Sequence, residues 1–176
     1  METARTDFPW LDLKWIEEIA VHGDAVTFWF LGGRRFSVMR QSIVMTCGNF
    51  DPLHLGHVDL FHSSKRHGSF LVVGVDEDSA VKKQKGRGRP THPVEHRLAM
   101  VAGCNAVDAV YLQEGGTSEP WVQRIVPFAF TKGSDRCEKT IPEAPICERL
   151  GIRLVVVQRR LAYSSRKLIE DVSGTV

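Results

Sequence analysis

The sequence predicts an α/β fold in which a five-stranded parallel sheet carries helices on both faces. From Ile43 onward, short apolar runs that suit strands alternate with longer amphipathic stretches that suit helices. The run Phe70–Val75 is continuously apolar, as strands buried on both faces are. Residues 1–41 precede this alternation. We therefore predict an N-terminal appendage at residues 1–41 and the α/β domain at residues 42–176.

The appendage is predicted to contain one helix and one β-hairpin. Apolar side chains recur at helical spacing in residues 11–21. Two β-rich runs, at residues 26–30 and 36–39, flank a Gly-Gly turn, a pattern that is typical of a hairpin. We expect the aromatic side chains of the appendage to pack against the domain or at a dimer interface, and not to bind a cofactor. They are Trp10, Trp15, Phe28, Trp29 and Phe30.

The α/β domain is predicted element by element from the same patterns. Strands are expected at residues 43–45, 70–75, 109–112, 128–131 and 153–157. Helices are expected at residues 56–67, from 94 onward, at 121–126 and from about 164. A Rossmann-like sheet of this kind binds its ligand at the carboxyl ends of the strands, where the strand order reverses. We therefore expect the functional residues in the loops that follow the strands.

One strand-to-helix loop has the properties of an anion-binding site. Residues 43–57 read IVMTCGNFDPLHLGH, which is an apolar run, then a loop containing Gly48 and Pro52, then the start of a helix. Free N–H groups and the dipole at a helix N-terminus favour anions, phosphates above all. Gly56 has no side chain to block a close approach. The loop is therefore predicted to bind phosphate groups.

Residues 54–57 form an HxGH motif. With the four residues that precede Pro52, this motif resembles the signature of the cytidylyltransferase-like nucleotidyltransferases. The resemblance implies that His54 and His57 are catalytic, donating hydrogen bonds to phosphate oxygens of a nucleoside triphosphate and stabilising charge as the α-phosphate is attacked. It also implies nucleotide-binding roles for the other residues of the signature. They are Gly48, Asn49, Phe50, Asp51 and Gly56.

Three other interpretations of the two histidines compete with this one. Histidines three positions apart can bind zinc, but no cysteine or third histidine stands nearby at a ligand spacing. The pair can also be solvent-facing residues at a helix start, an interpretation that suits a lone histidine better than the whole ten-residue pattern. A class I aminoacyl-tRNA synthetase shares the HIGH-type element, but the chain is short for one and shows no KMSKS-like loop.

The resemblance extends from residue 43 to about residue 172 and includes a second group of polar residues. Asp76, Lys83, Lys85 and Arg97 follow the order and approximate spacing of the family's acidic, lysine and E-x-R elements. This implies a catalytic, phosphate-binding role for Lys85 and acceptor-binding roles for Lys83, Asp76 and Arg97. Arg97 would either bind phosphate or brace the loop. A solvated basic turn is the alternative for the lysines.

Two later segments complete the predicted nucleotide site. Residues 132–135 read KGSD and resemble the KGxD element of heptose 1-phosphate adenylyltransferases. Residues 159–165 resemble the R-x4-I-S-T segment at the last helix, with Tyr163 in place of the usual Ile. Ser164 would cap that helix, whose N–H groups could hold the β- and γ-phosphates, or it would be a plain N-cap. The implied nucleotide-binding residues are Lys132, Gly133, Asp135, Arg159, Tyr163, Ser164 and Ser165.

The implied reaction joins the phosphate of a small phosphorylated alcohol, sugar or phosphonate to the α-phosphorus of a nucleoside triphosphate and releases pyrophosphate. Because the nucleophile is already an anion, no strong base is needed, and catalysis consists of positioning and charge neutralisation. We expect Mg²⁺ to be held mainly by the substrate phosphates and water, without a cluster of protein ligands. The run KKQK at residues 82–85 resembles glycerol-3-phosphate cytidylyltransferases, so ATP and CTP both stay open.

Composition and charge limit the other classes of function. The formal net charge of +2 is too small to indicate nucleic acid as the main partner. A basic run at residues 82–89 keeps a non-catalytic nucleotide- or RNA-binding module as the alternative function. No apolar run approaches the length of a membrane span, and the N-terminus lacks a signal-peptide pattern. We therefore expect a cytoplasmic protein with reduced cysteines. The resemblance to the nucleotidyltransferase family implies a homodimer.

Overall fold

The computed structural model of the chain describes residues 6–134, 141–158 and 169. Within these residues, the strands are β1 (Ile16–His22), β2 (Ala25–Phe30), β3 (Arg35–Met39), β4 (Ile43–Gly48), β5 (Phe70–Asp76), β6 (Ala109–Gln113), β7 (Ala129–Gly133) and β8 (Arg153–Val157). The α-helices are α1 (Pro9–Asp12), α2 (Leu55–Lys65), α3 (Asp78–Lys85), α4 (Val94–Gly103), α5 (Glu119–Ile125) and α6 (Ala144–Arg149). The helix predicted from about residue 164 lies outside the described residues.

The predicted five-stranded parallel sheet is confirmed, with the strand order β6-β5-β4-β7-β8. The chain runs outward from β4 to β5 and β6, then returns to the other side of β4 for β7 and β8. The strand order therefore reverses at β4, and open α/β sheets bind ligands beside the carboxyl end of the strand at such a point. The loop that carries the HxGH motif begins there.

Two apolar cores cover the two faces of the parallel sheet. On one face, Leu71 and Val73 of β5 pack with Phe61 of α2 and with apolar residues of α4. On the other face, Phe70 and Val72 of the same strand pack with residues of α5, α6 and the N-terminal strands. Successive residues of a strand point to opposite faces. Burial on both sides therefore explains why β5 is apolar throughout.

The helix predicted at residues 11–21 is wrong. The chain forms the short helix α1 and then the strand β1, which pairs antiparallel with β2 and has a register shift between Ile16 and Glu18. A bulge of this kind adds one residue to a strand. Ile16 and Ile19 are consequently both buried although they lie three positions apart. Because that spacing also fits a helix, the apolar pattern could not distinguish the two structures.

The predicted hairpin is confirmed as β2 and β3, which complete a three-stranded antiparallel sheet with β1. This sheet shares a core with the α/β unit, since the buried Phe28 ring lies 5.1 Å from the Phe70 ring between centroids. Trp10 donates a hydrogen bond from Nε1 to the Ala99 carbonyl of α4, 3.0 Å away, while its side chain stays half exposed. The N-terminal segment therefore packs on its own subunit.

Helices α3 and α6 have no counterpart in the sequence prediction. Helix α3 ends at Lys85, so the basic run of residues 82–89 begins inside a helix and not in a loop between helices. Helix α6 has six residues, which is too short to show a clear helical period. None of the described helices combines the length and the apolar character that crossing a bilayer requires.

Candidate active site

A cavity of about 810 Å³ opens at the carboxyl ends of the parallel strands. Most of the described residues that the sequence assigned to the site line this cavity, although they come from separate parts of the chain. They are Gly48, Asn49, Phe50, Asp51, His54, Gly56, His57, Asp76, Lys85, Lys132 and Gly133. The nucleotide-binding assignments of Asp135, Arg159, Tyr163, Ser164 and Ser165 fall outside the described residues and stay predictions.

His54 and His57 lie together at the start of α2. His54 occupies the N-cap position with an extended backbone, φ −146° and ψ 171°, and the two imidazole rings stack with 3.7 Å between centroids. The backbone N–H of His54 donates to Nδ1 of His57, 3.3 Å away, and the backbone N–H of His57 donates to the His54 carbonyl at 2.8 Å. A neutral His57 ring whose Nδ1 accepts a hydrogen bond carries its proton on Nε2. Both rings line the cavity at the positive end of the helix dipole.

Phe50 packs beneath His57, between this histidine and the core residue Phe61. Its backbone has a positive φ of 48°, a conformation that a bulky residue rarely adopts. Its buried ring packs edge-on against His57 and tilted against Phe61, with 5.1 Å between centroids in both pairs. Burial of this ring stabilises the unusual loop backbone, so the contribution of Phe50 to the site is mainly the position of the loop.

Asp51 anchors the loop at residues 89–92 to the loop that carries the HxGH motif between β4 and α2, which we call the signature loop. Its side chain is buried, accepts a hydrogen bond from Arg89 Nε at 2.7 Å, and also accepts from the backbone N–H groups of Thr91 and His92. Burial alone would raise the pKa of the Asp51 carboxyl, but the hydrogen bonds from Thr91, Arg89 and His92 and the charge of Arg89 lower it below its usual value. Asp51 therefore holds residues 89–92 against the signature loop as a charged carboxylate.

Arg97 links three segments around the cavity without facing it. Its guanidinium is fully buried and donates to the Asn49 carbonyl at 2.7 Å, to the His92 carbonyl at 3.0 Å and to the Asp78 carboxylate at 2.6 Å. These three acceptors surround the group, so the geometry favours the bracing role of Arg97. The acceptor-binding assignment of Arg97 does not fit, because its charge is enclosed by the protein.

Helical geometry places Lys85 of α3 at the cavity and directs Lys83 away from it. Lys85, the last residue of α3, is exposed and lines the cavity, and Arg89 beyond it lines the cavity too. Lys83 is also exposed but does not line the cavity, because residues two positions apart on a helix point in nearly opposite directions. The acceptor-binding assignment of Lys83 therefore does not fit this arrangement, whereas Lys85 stands where a cation can meet a substrate phosphate.

A network of buried, hydrogen-bonded side chains lies at the carboxyl ends of β5 and β6, beside the cavity. Asp76, at the end of β5, accepts a hydrogen bond from the side-chain amide of Gln113, at the end of β6. The Ser118 hydroxyl donates to the side-chain oxygen Oε1 of Gln113, and the Tyr111 hydroxyl donates to Ser118 Oγ at 2.8 Å. A Cβ atom at Gly74 would lie 2.4 Å from the Tyr111 ring, so this residue must be glycine. These hydrogen-bonded side chains fix the orientation of the Asp76 carboxylate toward the cavity.

Gln113, Cys47 and Glu143 are among the cavity-lining residues that were not identified from the sequence. Gln113 ends a predicted strand, and this position at the carboxyl edge of a sheet is the signal that could have indicated it. Cys47 immediately precedes the signature loop, and its pattern indicated no functional role beyond that of a small buried residue. Glu143 precedes α6, which the sequence did not predict, so no local pattern marks it.

Comparisons with known proteins agree with this geometry. Residues 45–176 match the family model described as cytidylyltransferase-like. Relatives include the bifunctional protein HldE of Alcanivorax borkumensis, 40% identical over 132 residues, and that of Psychromonas ingrahamii, 33% identical over 132 residues. Each alignment covers 75% of this chain and 28% of the relative. The chain thus spans little more than a quarter of the length of these relatives.

Solved structures give the same result for the fold and the family. A lipopolysaccharide core biosynthesis protein from Thermoplasma volcanium is 30% identical with a TM-score of 0.56, and the match covers 69% of this chain and 98% of that one. Pantothenate synthetase from Thermus thermophilus is 18% identical with a TM-score of 0.52, and this match, which covers 73% of this chain and 62% of that one, shows the fold alone. With the stacked histidines at the start of α2 and the match over residues 45–176, the chain belongs to the cytidylyltransferase-like family.

Proposed function

We propose that the chain transfers a nucleotidyl group from a nucleoside triphosphate to a small phosphorylated acceptor and releases pyrophosphate. The observation that carries this proposal is the stacked pair His54 and His57 at the N-terminus of α2, on the wall of a cavity large enough for a nucleotide and part of an acceptor. In this arrangement, two imidazole rings and the N-terminus of a helix lie at one cavity, which suits the binding and activation of a triphosphate.

The proposed mechanism assigns a distinct task to each cavity wall. Nε2–H of His57 donates to an oxygen of the α-phosphate as the acceptor phosphate attacks, and His54 assists from the helix N-cap. Lys85 neutralises charge on the phosphates from the end of α3. Asp51 and Arg97 keep the surrounding loops in place, as their buried hydrogen bonds indicate. Because an acceptor phosphate is already ionised at neutral pH, the reaction requires no protein base.

We further propose that the acceptor is a sugar phosphate and that the group transferred is adenylyl. Both assignments are supported by the KGSD segment at residues 132–135, by the relatives named HldE and by the similar protein whose name refers to the lipopolysaccharide core. Cytidylyl transfer to a phosphorylated alcohol or phosphonate is the competing possibility within the same reaction class. A homodimer and a cytoplasmic location also stay predictions.

Mg²⁺ would enter this site with the triphosphate. Among the described residues, no group of three or more His, Cys, Asp or Glu side chains could hold a metal ion. We propose that substrate phosphates and water supply most of the ligands of the ion. The Asp76 carboxylate, held at the cavity by Gln113, is the residue on the β5 side that could contact such an ion directly or through water. The ion would supply charge neutralisation at the phosphates.

Pyrophosphate release tests the proposed function directly. The protein is incubated with Mg²⁺ and each of ATP, CTP, GTP and UTP, with and without hexose, heptose, glycerol and other small phosphates, and pyrophosphate is measured by a coupled assay. The expected result is release with one nucleotide that depends on one class of acceptor. Tight nucleotide or RNA binding without release from any pair would instead support the non-catalytic alternative.

A further inference from the structure

Three polar side chains meet at the cavity wall between β4 and β7. Lys132 Nζ donates to Cys47 Sγ at 2.8 Å and lies 3.3 Å from Glu143 Oε1, while the Cys47 thiol donates to the same carboxylate oxygen at 3.1 Å. Cys47 and Glu143 are buried, and the Lys132 side chain is 15% exposed. These residues come from three separate parts of the chain, and all three line the cavity.

The charges of this cluster cancel. Burial would lower the pKa of Lys132, but the charge of the Glu143 carboxylate opposes this effect and the pKa lies above its usual value, so the ammonium group stays charged. Burial and the Glu143 carboxylate raise the pKa of Cys47 to about 12 against the opposing effect of Lys132, so the thiol stays neutral. Burial likewise raises the pKa of Tyr111, the nearby group on β6. One ammonium and one carboxylate therefore face each other, and the cluster has no net charge to offer a phosphate.

The rest of this wall suits an uncharged part of a ligand. Ile141, Pro142 and Val157 contribute apolar surface beside the cluster. The second oxygen of the carboxylate, Glu143 Oε2, is buried beneath the cavity surface, so Glu143 acts on a ligand through Lys132 and not by direct contact. Lys85, an exposed cation of the cavity, lies instead at the end of α3, on the opposite side of the signature loop.

We propose that Glu143 is a positioning residue: together with Cys47 it holds Lys132 in a pair without net charge, so that Lys132 donates to the uncharged nucleoside part of the triphosphate and not to its phosphates. This inference rests on the proposed function for the identity of the ligand. It assigns a role to Glu143 that no sequence motif marks, and it narrows the nucleotide-binding role of Lys132 to recognition of the nucleoside.

Calorimetric titration with two probes tests this assignment without any turnover. The probes are the nucleoside triphosphate preferred in the pyrophosphate assay, or ATP and CTP if none is turned over, and inorganic tripolyphosphate, which has the charge but no nucleoside. We expect Glu143→Gln and Lys132→Met each to weaken triphosphate binding by about tenfold or more, the loss typical of a hydrogen bond to a charged group. Neither variant should weaken tripolyphosphate binding, whereas Lys85→Ala should weaken both probes.

A double-mutant cycle tests the link between the two residues. Because Glu143 acts through Lys132, the variant with both substitutions should bind the triphosphate no more weakly than Lys132→Met alone. Cys47→Val leaves both charges in place and should weaken triphosphate binding less. This effect should also disappear in the Lys132→Met background. Glu148→Gln, an exposed substitution on α6, is the matched control and should bind like the wild type.

Several results would overturn the proposal. Additive losses in the cycle would show that Glu143 does not act through Lys132. Equal weakening of both probes by Lys132→Met would make Lys132 a phosphate ligand. If Glu143→Gln binds both probes more weakly and also has a lower melting temperature, Glu143 contributes only to stability. If the pyrophosphate assay fails but the cycle and the probe selectivity hold, the proposed transfer reaction is wrong and the binding assignment stands.

Discussion

A single hydrogen bond determines which nitrogen of His57 can serve a phosphate. Its Nδ1 accepts the backbone N–H of His54, so the proton of the neutral ring resides on Nε2. A donor that is already oriented requires no rearrangement when negative charge develops on the α-phosphate, and its effect is therefore greatest in the transition state. The same bond ties the ring to the first turn of α2, so the position of the donor follows the helix.

We expect His57→Ala to lower kcat by roughly a hundredfold to a thousandfold, the usual effect of removing one donor to a developing oxyanion. KM for the nucleotide should change much less, and His54→Ala should behave similarly with more loss of binding. Steady-state pyrophosphate release measures both constants. His62→Ala, an exposed histidine on the same helix, is the matched control and should keep full activity. An unchanged kcat in His57→Ala would remove His57 from the chemistry.

Asp51 gives a prediction about stability and pH. Its pKa is lowered in the folded protein, so its stabilising effect is present above the unfolded pKa of about 4 and is lost as the pH falls through the lower, folded value. Asp51→Asn should therefore unfold at lower urea concentration than the wild type at about pH 7. The difference between the two proteins should shrink below about pH 4.

Urea unfolding curves between neutral and acidic pH check this dependence. Asp24→Asn, at an exposed aspartate, is the control and should leave both stability and its pH dependence nearly unchanged. A stability difference for Asp51→Asn that stays constant down to acidic pH would mean that the Asp51 charge does not hold residues 89–92 in place.

At the scale of elements, helix α3 determines which of Lys83 and Lys85 lines the cavity. The side chains of Lys83 and Lys85 leave the helix about 200° apart, and Lys85 alone of the two lines the cavity. We expect Lys85→Ala to raise the KM for the phosphate-bearing substrates by about tenfold and to weaken its dependence on salt. Kinetics at several salt concentrations measure both effects.

Lys83→Ala is the matched control for this prediction, because it removes the same charge from the same helix. It should leave the KM nearly unchanged, since Lys83 does not line the cavity. Equal effects of the two substitutions would indicate that the helix acts through its total charge and not through a contact of Lys85. A change in RNA affinity alone would support the nucleic-acid alternative.

The elements also show what the sequence could and could not predict. Strand β5 was identified because burial on both faces makes nearly every residue apolar, and β8 was identified from its apolar run although most of its residues are only partly buried. Strand β1 was not, because its bulge gives Ile16 and Ile19 a helical spacing. Within the site, the HxGH loop was predictable because its residues are consecutive. Glu143 was not, because its contact with Lys132 depends on how distant segments pack.

At the scale of the whole molecule, the N-terminal sheet serves as one of the layers that cover the parallel sheet. Buried side chains of β1, β2 and β3 share a core with β5 and β6, on the same face as α5. Trp15 also forms a parallel bridge with Val110 at the edge strand β6, so the first strands protect an edge that would otherwise be open. This layer contributes none of the described residues that line the cavity, so stability and chemistry should respond separately to changes in it.

Phe28→Ala should show this separation. The Phe28 side chain is fully buried and stacks between Phe30 and Phe70, and removing such a ring typically costs about 3–5 kcal/mol of unfolding free energy. Phe36→Ala on the neighbouring strand is the matched control, because Phe36 is 54% exposed and contacts the same Phe70 ring. Urea unfolding should show a clearly smaller loss for Phe36→Ala, and kcat of the folded protein should be unchanged in both.

Removal of the whole layer is the more severe test. A chain that begins at Ser42 would expose Phe70, Val72 and Ala109, which now lie buried beneath the N-terminal strands, and contiguous apolar patches of this kind promote aggregation. We expect the shortened chain to be poorly soluble and to unfold at a lower temperature, while any soluble fraction keeps its kcat, because the described residues that line the cavity all follow Ser42. Differential scanning fluorimetry and pyrophosphate release on the soluble fraction measure the two properties. A soluble, stable and active product would show that the layer is dispensable, and a soluble, folded product without activity would place part of the active site in residues 1–41.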